Sequence, residues 1–237
     1  GCDQSVLERL VGMDQARVLF DYSRDGLALL KARIAQHGID CHWRDGAADV
    51  AITPRQDAGL QALARHMERH YHYPLKYWPA AELGQVLDSP RFVAGLHDPA
   101  AGHLHPLRYA LGLARAAQQQ GVRIFEHSPV LDIQRGAHVV MTTPRGKVRA
   151  PFAVIAGNAL LAGIAPVLER RIMPVGTYVG ATAPLGAARA RSLIANDMAV
   201  ADVNWALDYF RLSADHRLLF GGMVAYSALP PPGLQAA

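Results

Sequence analysis

The chain has 237 residues, of which 51% are hydrophobic and 19% are charged, and its formal net charge is +4. It is long enough to bury a core as one large domain or two smaller ones, and it contains no run of about 20 apolar residues, the length that spans a membrane. The basic residues are scattered, with the densest places at Arg170-Arg171 and around Arg189 and Arg191, so neither DNA nor RNA is an expected partner.

The cysteines and the first residues indicate the compartment. Cys2 and Cys41 are too few for a disulfide framework and have no partners at zinc-site spacing, so we expect a reducing cytoplasm. The start has no cationic and apolar signal peptide, although it fits the short Gly-x-x-x-Ser pattern of myristoylation, which is often accidental. We interpret Gly1 as an internal start within a longer protein.

The first part of the chain predicts a helix followed by two strands. Apolar residues at three- and four-residue steps predict a long helix that begins at an N-cap, Asp14, and ends at Gly38 in a left-handed conformation. Residues 39–43 and 48–53 predict short strands on either side of an Asp45-Gly46 turn.

Two more helices follow. Pro54 opens a polar helix that reaches about His70, and the aromatic and proline-containing residues 71–87 are typical of a pocket wall or cover. Pro106 suits the first turn of the next helix, which ends at Gly121. Small residues on its apolar face permit a close approach to a sheet; that face comprises Leu107, Ala110, Leu111, Gly112, Ala114 and Ala117.

The middle of the chain predicts strands. Residues 122–126 alternate between apolar and polar, and residues 130–134 and 138–143 predict a hairpin that continues into 147–150. The uninterrupted apolar run 152–158 predicts a strand that is buried on both faces.

The last part predicts longer antiparallel strands within residues 171–185 and 207–227, with a hairpin at 214–216. No internal repeat is evident. The proline-rich end is expected to be disordered.

Several histidines raise the possibility of a metal site. His103 and His105 alternate as strand residues would, and His97 lies nearby, but no carboxylate stands at a suitable spacing. His66 and His70 are four residues apart without the glutamate of an HExxH motif. We therefore prefer His105 as the residue that closes a helix N-terminus and His103 as a partly exposed residue, while a histidine-based metalloprotein remains an alternative.

Other catalytic motifs are missing from the sequence. It contains no Gly-x-Ser-x-Gly elbow, no phosphate-binding loop and no Gly-x-Gly-x-x-Gly turn. The small residues Ala156 and Gly157 at the end of the predicted buried strand would let a flat ligand approach, as ligands do at strand ends of open α/β sheets, or would form only a tight turn.

Four segments together resemble a known family. Residues 103–133, 146–159, 182–185 and 208–222 occur in the order and spacing found in FAD-dependent oxidoreductases of the D-amino-acid oxidase superfamily. Over about residues 3–227, the chain is similar to the gamma-glutamylputrescine oxidase-like branch.

The resemblance implies an α+β fold in which a partial FAD/NAD(P)-binding α/β domain carries an antiparallel-sheet substrate domain. The implied segments are a helical segment near the FAD domain (1–38), two parts of the substrate domain (39–97 and 167–229), the partial FAD-binding domain (98–166) and a disordered tail (230–237).

The resemblance also implies where FAD lies. The residue at Val130 contacts the adenine region through its backbone, and Ala156, Gly157 and Asn158 lie beside the cofactor. We expect Val130, Ala156 and Gly157 to converge on one cleft. An ordinary strand position is the alternative for Val130.

On the substrate side, the resemblance implies catalytic or binding roles for Tyr209 and Arg211, with His105 facing the active site. Arg211 would form a fork for a substrate carboxylate. A sheet aromatic and a surface cation are the alternatives for Tyr209 and Arg211.

The implied activity is oxidation of an amine or amino-acid C–N bond, with hydride transfer to the flavin, hydrolysis of the imine, and molecular oxygen as the acceptor that yields peroxide. The family's initial Gly-x-Gly-x-x-Gly segment and its C-terminal glycine-rich segment are both missing here. A truncated, non-catalytic chain or a partner-binding remnant is therefore the rival hypothesis, and we expect this chain alone to bind FAD poorly.

Overall fold

A computed structural model describes residues 4–225. In chain order its elements are α1 (Gln4–Val11), α2 (Met13–Gln36), β1 (Arg44–Ala51), α3 (Pro54–Tyr71), β2 (Lys76–Pro79), α4 (Ala80–Leu83), β3 (Ala94–His103), α5 (Pro106–Gln119), β4 (Asp132–Gln134), β5 (Val139–Thr143), β6 (Gly146–Ala150), α6 (Pro166–Glu169), β7 (Gly176–Ala181), α7 (Ala187–Leu193), β8 (Ala199–Asp202), β9 (Tyr209–Leu212) and β10 (Leu218–Ala225). Among the residues described, no helix is long and apolar enough to cross a membrane.

The chain divides into two compact units. Of the described residues, unit 1 comprises 4–120 together with 178–223, and unit 2 comprises 121–177 together with 224–225. Of the segment limits that the resemblance implies, 97/98 falls inside β3 and 166/167 falls inside α6, and the division into those domains stays a prediction. The expected tail at 230–237 lies outside the described residues.

Unit 1 is built on a mixed sheet with the strand order β2-β3-β1-β8-β9-β10-β7. β1 pairs antiparallel with β3 and parallel with β8, while β8 with β9 and β9 with β10 are antiparallel pairs. The α+β fold is thus confirmed. The sheet is mixed, because the long connection from β1 to β8 lets the two strands run in the same direction.

The predicted turn at Asp45-Gly46 is wrong, because β1 runs straight through it. The pairing with β3 shifts register between Asp45 and Ala47, and Gly46 adopts a φ of 96°. Glycine accepts this left-handed conformation and lets the strand absorb one extra residue as a bulge. Residues 39–43 form no strand either, although Cys41 is buried and its carbonyl accepts a bond from His105 N (2.8 Å).

The helix boundaries agree closely with the sequence patterns. α2 ends as expected next to Gly38 (φ 57°), but its N-cap is Gly12 rather than Asp14. α3 begins at Pro54 with a capping box in which the Thr53 side chain and Gln56 satisfy each other's backbone N–H groups.

One face of the sheet packs into the main core of unit 1. Val50, Val200 and Leu212 point to this face and are buried. They pack in a cluster with Ala48, Trp78, Leu83, Leu87, Ala190, Ile194 and Met198. The opposite face is therefore available for a cavity, because side chains alternate along each strand.

In unit 2, the predicted hairpin and returning strand are confirmed as β4, β5 and β6. The predicted strands at 122–126 and 152–158 are wrong: neither segment is a strand, and the Phe152 and Val154 side chains are 86% and 92% exposed. An apolar run becomes a sheet strand only if another strand pairs with it, and none of the described residues does so here.

Candidate active site

Unit 1 contains a cavity of about 1130 Å³ on the sheet face opposite the core. Residues from β1, β8, β9 and β10 line it, together with the residues around the start of α5. The three residues that the resemblance placed at the active site, His105, Tyr209 and Arg211, all line this cavity. The fold thus brings them together from positions up to 106 residues apart; their roles in a reaction stay predictions.

Small residues form part of the floor of the cavity, and Asp49 on β1 lines it beside them. Ala47 on β1 pairs with Ala199 on β8, and Ala201 on β8 pairs with Tyr209 on β9. Because alternate residues of a strand share a face, Ala47, Ala199 and Ala201 leave space above the sheet where larger side chains would fill it.

Tyr209 lies over a glycine on the neighbouring strand. Gly221 on β10 pairs with Tyr209, and a Cβ atom at Gly221 would lie 2.1 Å from Tyr209 Cε2 and 2.6 Å from its hydroxyl oxygen. The position of the aromatic ring therefore requires glycine at 221.

Arg211 is held by backbone carbonyls and a histidine. Its Nη1 donates to Leu212 O (3.1 Å) and lies 3.4 Å from His103 Nδ1, and its Nη2 donates to Leu104 O (3.3 Å). Burial lowers the pKa of Arg211, and the nearby Asp197 partly offsets this effect. A guanidinium nevertheless stays protonated, so Arg211 brings a half-buried positive charge to the cavity.

Arg211 differs from the other arginines that line the cavity. Arg44 pairs with Asp197 (2.9 Å), and Arg108 and Arg217 pair with Asp40 (2.9 Å) and Asp215 (2.6 Å). Among the described residues, no ion pair includes Arg211. Its charge is therefore the one in this group that a bound anion could neutralise without displacing a carboxylate.

His103 connects Arg211 to the loop before β8. Its Nε2 lies 2.7 Å from the Asp197 carbonyl oxygen, and Asp197 adopts a φ of 57°. Burial lowers the pKa of His103, and the positive charge of Arg211 lowers it further, against the raising effect of the bond to Asp197. The sequence pattern did not connect His103 with Asp197, because 94 positions separate them and no motif links them.

His105 closes the N-terminus of α5, which is the interpretation preferred in the sequence analysis. Its Nδ1 accepts from Arg108 N (3.4 Å), and Pro106 occupies the first helical position. Its ring also lies 6.3 Å from that of His42, and both line the cavity. His105 thus combines a structural role with a position at the wall of the site.

The expected cofactor residues lie in unit 2. Val130 is half-buried just before β4, and Gly157 is half-buried in a turn where Leu160 N donates to its carbonyl (2.8 Å). Asn158 is exposed with a φ of 48°, and Ala156 is exposed. Their convergence on one cleft stays a prediction.

The residues present do not by themselves complete an FAD site. The sequence has no Gly-x-Gly-x-x-Gly turn, so it lacks the turn that binds a pyrophosphate with backbone N–H groups. At Gly157, the space for a Cβ is already taken by Leu161 Cδ2 at 2.8 Å. The missing side chain at Gly157 therefore makes room for the Leu161 side chain of the same turn.

A histidine-based metal site finds no support in the described residues. No group of three or more histidine, cysteine, aspartate or glutamate side chains among them is placed to hold a metal ion. His66 instead contacts Glu8 (2.7 Å), and His97 stacks on Trp78 with ring centroids 4.6 Å apart.

Solved structures identify the class to which this fold belongs. L-proline dehydrogenase from P. horikoshii matches with a TM-score of 0.70 and 16% identity over 98% of this chain and 61% of that one. Glycine oxidase from Geobacillus kaustophilus matches with a TM-score of 0.63 and 21% identity over 89% of this chain and 54% of that one. The fold is that of FAD-dependent oxidases.

The sequence comparison identifies the family. The family model described as "FAD dependent oxidoreductase" (DAO) matches residues 7–236, and the chain belongs to this family. Gamma-glutamylputrescine oxidoreductase from Escherichia coli K12 is 38% identical over 98% of this chain and 55% of its own length. The chain thus spans about half the length of the curated relatives it matches. The resemblance seen in the sequence is confirmed, and FAD is the cofactor of the family.

Proposed function

We propose that the protein containing this chain carries out the FAD-dependent oxidation of a C–N bond in an amine or amino acid, and that the unit 1 cavity binds the substrate. The proposal depends mainly on one observation: Arg211 is a half-buried cation that lines the cavity, and it takes part in no ion pair among the described residues. Family membership supplies the redox class, and the cavity supplies a place for the molecule to be oxidised.

Arg211 suits a substrate with a carboxylate group. The three bonds to Leu212 O, Leu104 O and His103 Nδ1 account for three of its five N–H groups. The other two N–H groups can donate to a carboxylate, and guanidinium–carboxylate bonds are about twice as strong as neutral ones. The bonds to backbone carbonyls fix the orientation of the guanidinium before a ligand arrives.

Tyr209 and His105 would complete the binding site. Tyr209 presents an aromatic ring and a hydroxyl group above the small-residue floor, which fits the apolar part of an amine substrate. His105 lies at the α5 side of the cavity, where its ring adds a polar group that can accept or donate a hydrogen bond.

The finer part of the proposal concerns the substrate and the acceptor. Gamma-glutamylputrescine carries a carboxylate at one end and a primary amine at the other, and the 38% identical Escherichia coli relative is named for it. We propose it as the first substrate to test, with Arg211 binding the carboxylate. Molecular oxygen, yielding hydrogen peroxide, is the proposed acceptor.

The test uses the protein encoded by the full reading frame that contains this sequence. It would be purified with FAD and assayed for substrate-dependent flavin bleaching under anaerobic conditions, and for peroxide in air, with gamma-glutamylputrescine, putrescine, glycine and proline. We expect bleaching with at least one of these compounds. A folded flavoprotein that none of a broad panel of amines and amino acids reduces would contradict the proposed function, whereas bleaching without peroxide would contradict only the choice of oxygen.

A further inference from the structure

We propose that His103 is a positioning residue that holds Arg211 in the orientation needed to bind a substrate carboxylate. Its neutral ring donates from Nε2 to the Asp197 carbonyl and accepts at Nδ1 from the Arg211 guanidinium. This inference rests on the proposed function, because it concerns how the same cavity recognises an anionic substrate.

The tautomer follows from the two contacts. A carbonyl oxygen can only accept, so the 2.7 Å contact between His103 Nε2 and Asp197 O requires the proton to be on Nε2. A guanidinium can only donate, so the 3.4 Å contact between Arg211 Nη1 and His103 Nδ1 requires a lone pair on Nδ1. One neutral tautomer satisfies both contacts, and the charged ring satisfies only the first.

The surroundings of His103 favour this neutral ring. The charged groups that act on it are Arg44 on β1, Asp197 in the loop before β8, and Arg211 on β9. Burial is the strongest effect and lowers the pKa of His103; the bond to Asp197 and the charge of Asp197 raise it, but burial and the two arginines together outweigh them. His42 and His105 are the other histidines that line the cavity.

The backbone places the imidazole firmly. His103 is the last residue of β3 and pairs with Arg44 on β1. At the preceding residue, Gly102, a Cβ atom would lie 2.4 Å from both Arg44 O and Trp43 Cζ2, so the two strands approach too closely for any other residue. This contact fixes the end of β3 and therefore the positions of the His103 Cα and Cβ atoms.

Protonation of His103 should release Arg211. A proton on Nδ1 would place an N–H group and a positive charge against the guanidinium, which favours another orientation of Arg211. The affinity for a carboxylate substrate should therefore fall as the pH drops through the His103 pKa, which lies below the ordinary value of 6.5. The substrate carboxylate stays ionised there, because its own pKa is about 3.5.

Three variants of the protein encoded by the full reading frame test the proposal. His103→Ala removes both contacts. His103→Gln keeps one donor and one acceptor but cannot titrate. His97→Gln is the matched control, since His97 is also partly buried with a lowered pKa but is absent from the cavity lining.

The first measurement is the KM for gamma-glutamylputrescine compared with that for putrescine, which has no carboxylate. We expect His103→Ala to raise the KM for gamma-glutamylputrescine by about tenfold, as the loss of about 1.4 kcal/mol of binding would do, with little change for putrescine. His103→Gln should restore the KM and abolish its rise at low pH, and His97→Gln should behave as the wild type. An equal rise for both substrates, or an unchanged pH dependence in His103→Gln, would overturn the proposal.

The second measurement does not depend on turnover. Long-range ¹H–¹⁵N spectra of ¹⁵N-histidine-labelled protein at neutral pH should show His103 with a protonated Nε2 and a bare Nδ1. A charged ring or the opposite tautomer would overturn the positioning role even in an active enzyme. If no compound of the broad panel of amines and amino acids reduces the enzyme but this tautomer is observed, the proposed function fails while the geometry of His103 stands.

Discussion

At the scale of single residues, the cavity is organised by the way Arg211 is held. Carboxylates pair with Arg44, Arg108 and Arg217, whereas two carbonyls and a neutral imidazole hold Arg211. Neutral acceptors fix the orientation of a guanidinium without neutralising its charge. This distinction makes Arg211, among these four arginines, the one suited to recognise an anion.

The fit of Tyr209 over Gly221 gives a residue-scale prediction. In Gly221→Ala, a methyl group would lie 2.1 Å from the Tyr209 ring, so the ring must move or the strands must shift. We expect the free energy of unfolding to fall by about 1–3 kcal/mol, the usual cost of overpacking. Urea denaturation of the chain, followed by tryptophan fluorescence, measures this loss.

Gly180→Ala is the matched control for that variant. Gly180 lies on β7, next to β10 in the sheet, and an added Cβ would approach nothing closer than Phe220 O at 3.9 Å. We expect its free energy of unfolding to stay within about 0.5 kcal/mol of the wild type. Equal losses in the two variants would show that the Tyr209 ring is not seated on Gly221.

At the scale of elements, local signals in the sequence predicted helix ends well and strand pairing less well. Pro54, Pro106 and Gly38 act on their own neighbours, and the helices that they begin or end lie where predicted. Whether Asp45-Gly46 becomes a turn or a bulge depends on β3, a distant partner. Likewise, residues 152–158 have a strand composition, but pairing decides whether a strand forms.

The candidate site also contains residues that the sequence predicted and contacts that it did not. The resemblance to the family predicted that Tyr209, Arg211 and His105 belong together, and the cavity contains all three. The contacts of His103 with Asp197 and Arg211 span 94 and 108 positions, and they depend on the register of β1 with both β3 and β8. No local pattern in one sequence encodes such a contact.

Two helical glycines give a prediction at the element scale. In α5, a Cβ atom at Gly112 would lie 2.3 Å from Ile39 Cγ2, whereas a Cβ atom at Gly26 in α2 would meet nothing within 4 Å. We expect Gly112→Ala to lower the free energy of unfolding by about 1–3 kcal/mol through overpacking. Gly26→Ala should raise it by about 0.5–1 kcal/mol, because alanine favours the helix.

Urea denaturation of both variants provides the comparison. Opposite signs are the expected result, since the two substitutions are chemically identical and differ only in what surrounds the new methyl group. Stabilisation by Gly112→Ala would show that α5 does not pack against Ile39 as closely as described.

The docking of α1 should depend on pH. Glu8 on α1 accepts bonds from His66 Nε2 and the Tyr71 hydroxyl, both at 2.7 Å. Burial alone would raise the Glu8 pKa, but the two hydrogen bonds and the charges of His66 and His70 together outweigh it, and the pKa is lowered. The stabilisation is therefore complete above the unfolded value of 4.5 and is lost as the pH falls through the lower, folded pKa.

Amide hydrogen exchange in α1 measures this effect. After correction for the intrinsic exchange rate, we expect its protection to fall between pH values of about 5 and about 3. Glu8→Gln should show weaker protection that changes less over the same range. Protection of α1 that is independent of pH in the wild type would contradict a role for the Glu8 carboxylate.

In the molecule as a whole, the proposed substrate cavity and the expected cofactor residues belong to different units of the chain. The cavity belongs to unit 1, while Val130, Ala156, Gly157 and Asn158 belong to unit 2. The chain covers 55% of the length of its Escherichia coli relative, and its sequence has no glycine-rich pyrophosphate turn. We therefore propose that this chain contributes the substrate site, while the pyrophosphate-binding turn is not among its residues.

A prediction about FAD follows. The chain alone should bind FAD orders of magnitude more weakly than the protein encoded by the full reading frame, because it lacks several charge-assisted bonds to the pyrophosphate, each worth about 1.5–3 kcal/mol. Flavin absorbance after desalting measures retention for both proteins. Stoichiometric flavin on the chain alone would contradict this expectation and would show that the chain holds FAD without that turn.

The most direct test of the account is the effect of Arg211→Gln on the KM for a carboxylate-bearing amine, measured beside Arg189→Gln as a control on α7, outside the cavity lining. We expect Arg211→Gln to raise the KM for gamma-glutamylputrescine by about 10- to 100-fold, as the loss of charge-assisted bonds of about 1.5–3 kcal/mol would do. The KM for putrescine should change little, and Arg189→Gln should leave both values unchanged. An Arg211→Gln enzyme that binds gamma-glutamylputrescine as well as the wild type does would contradict the assignment of this cavity as the substrate site.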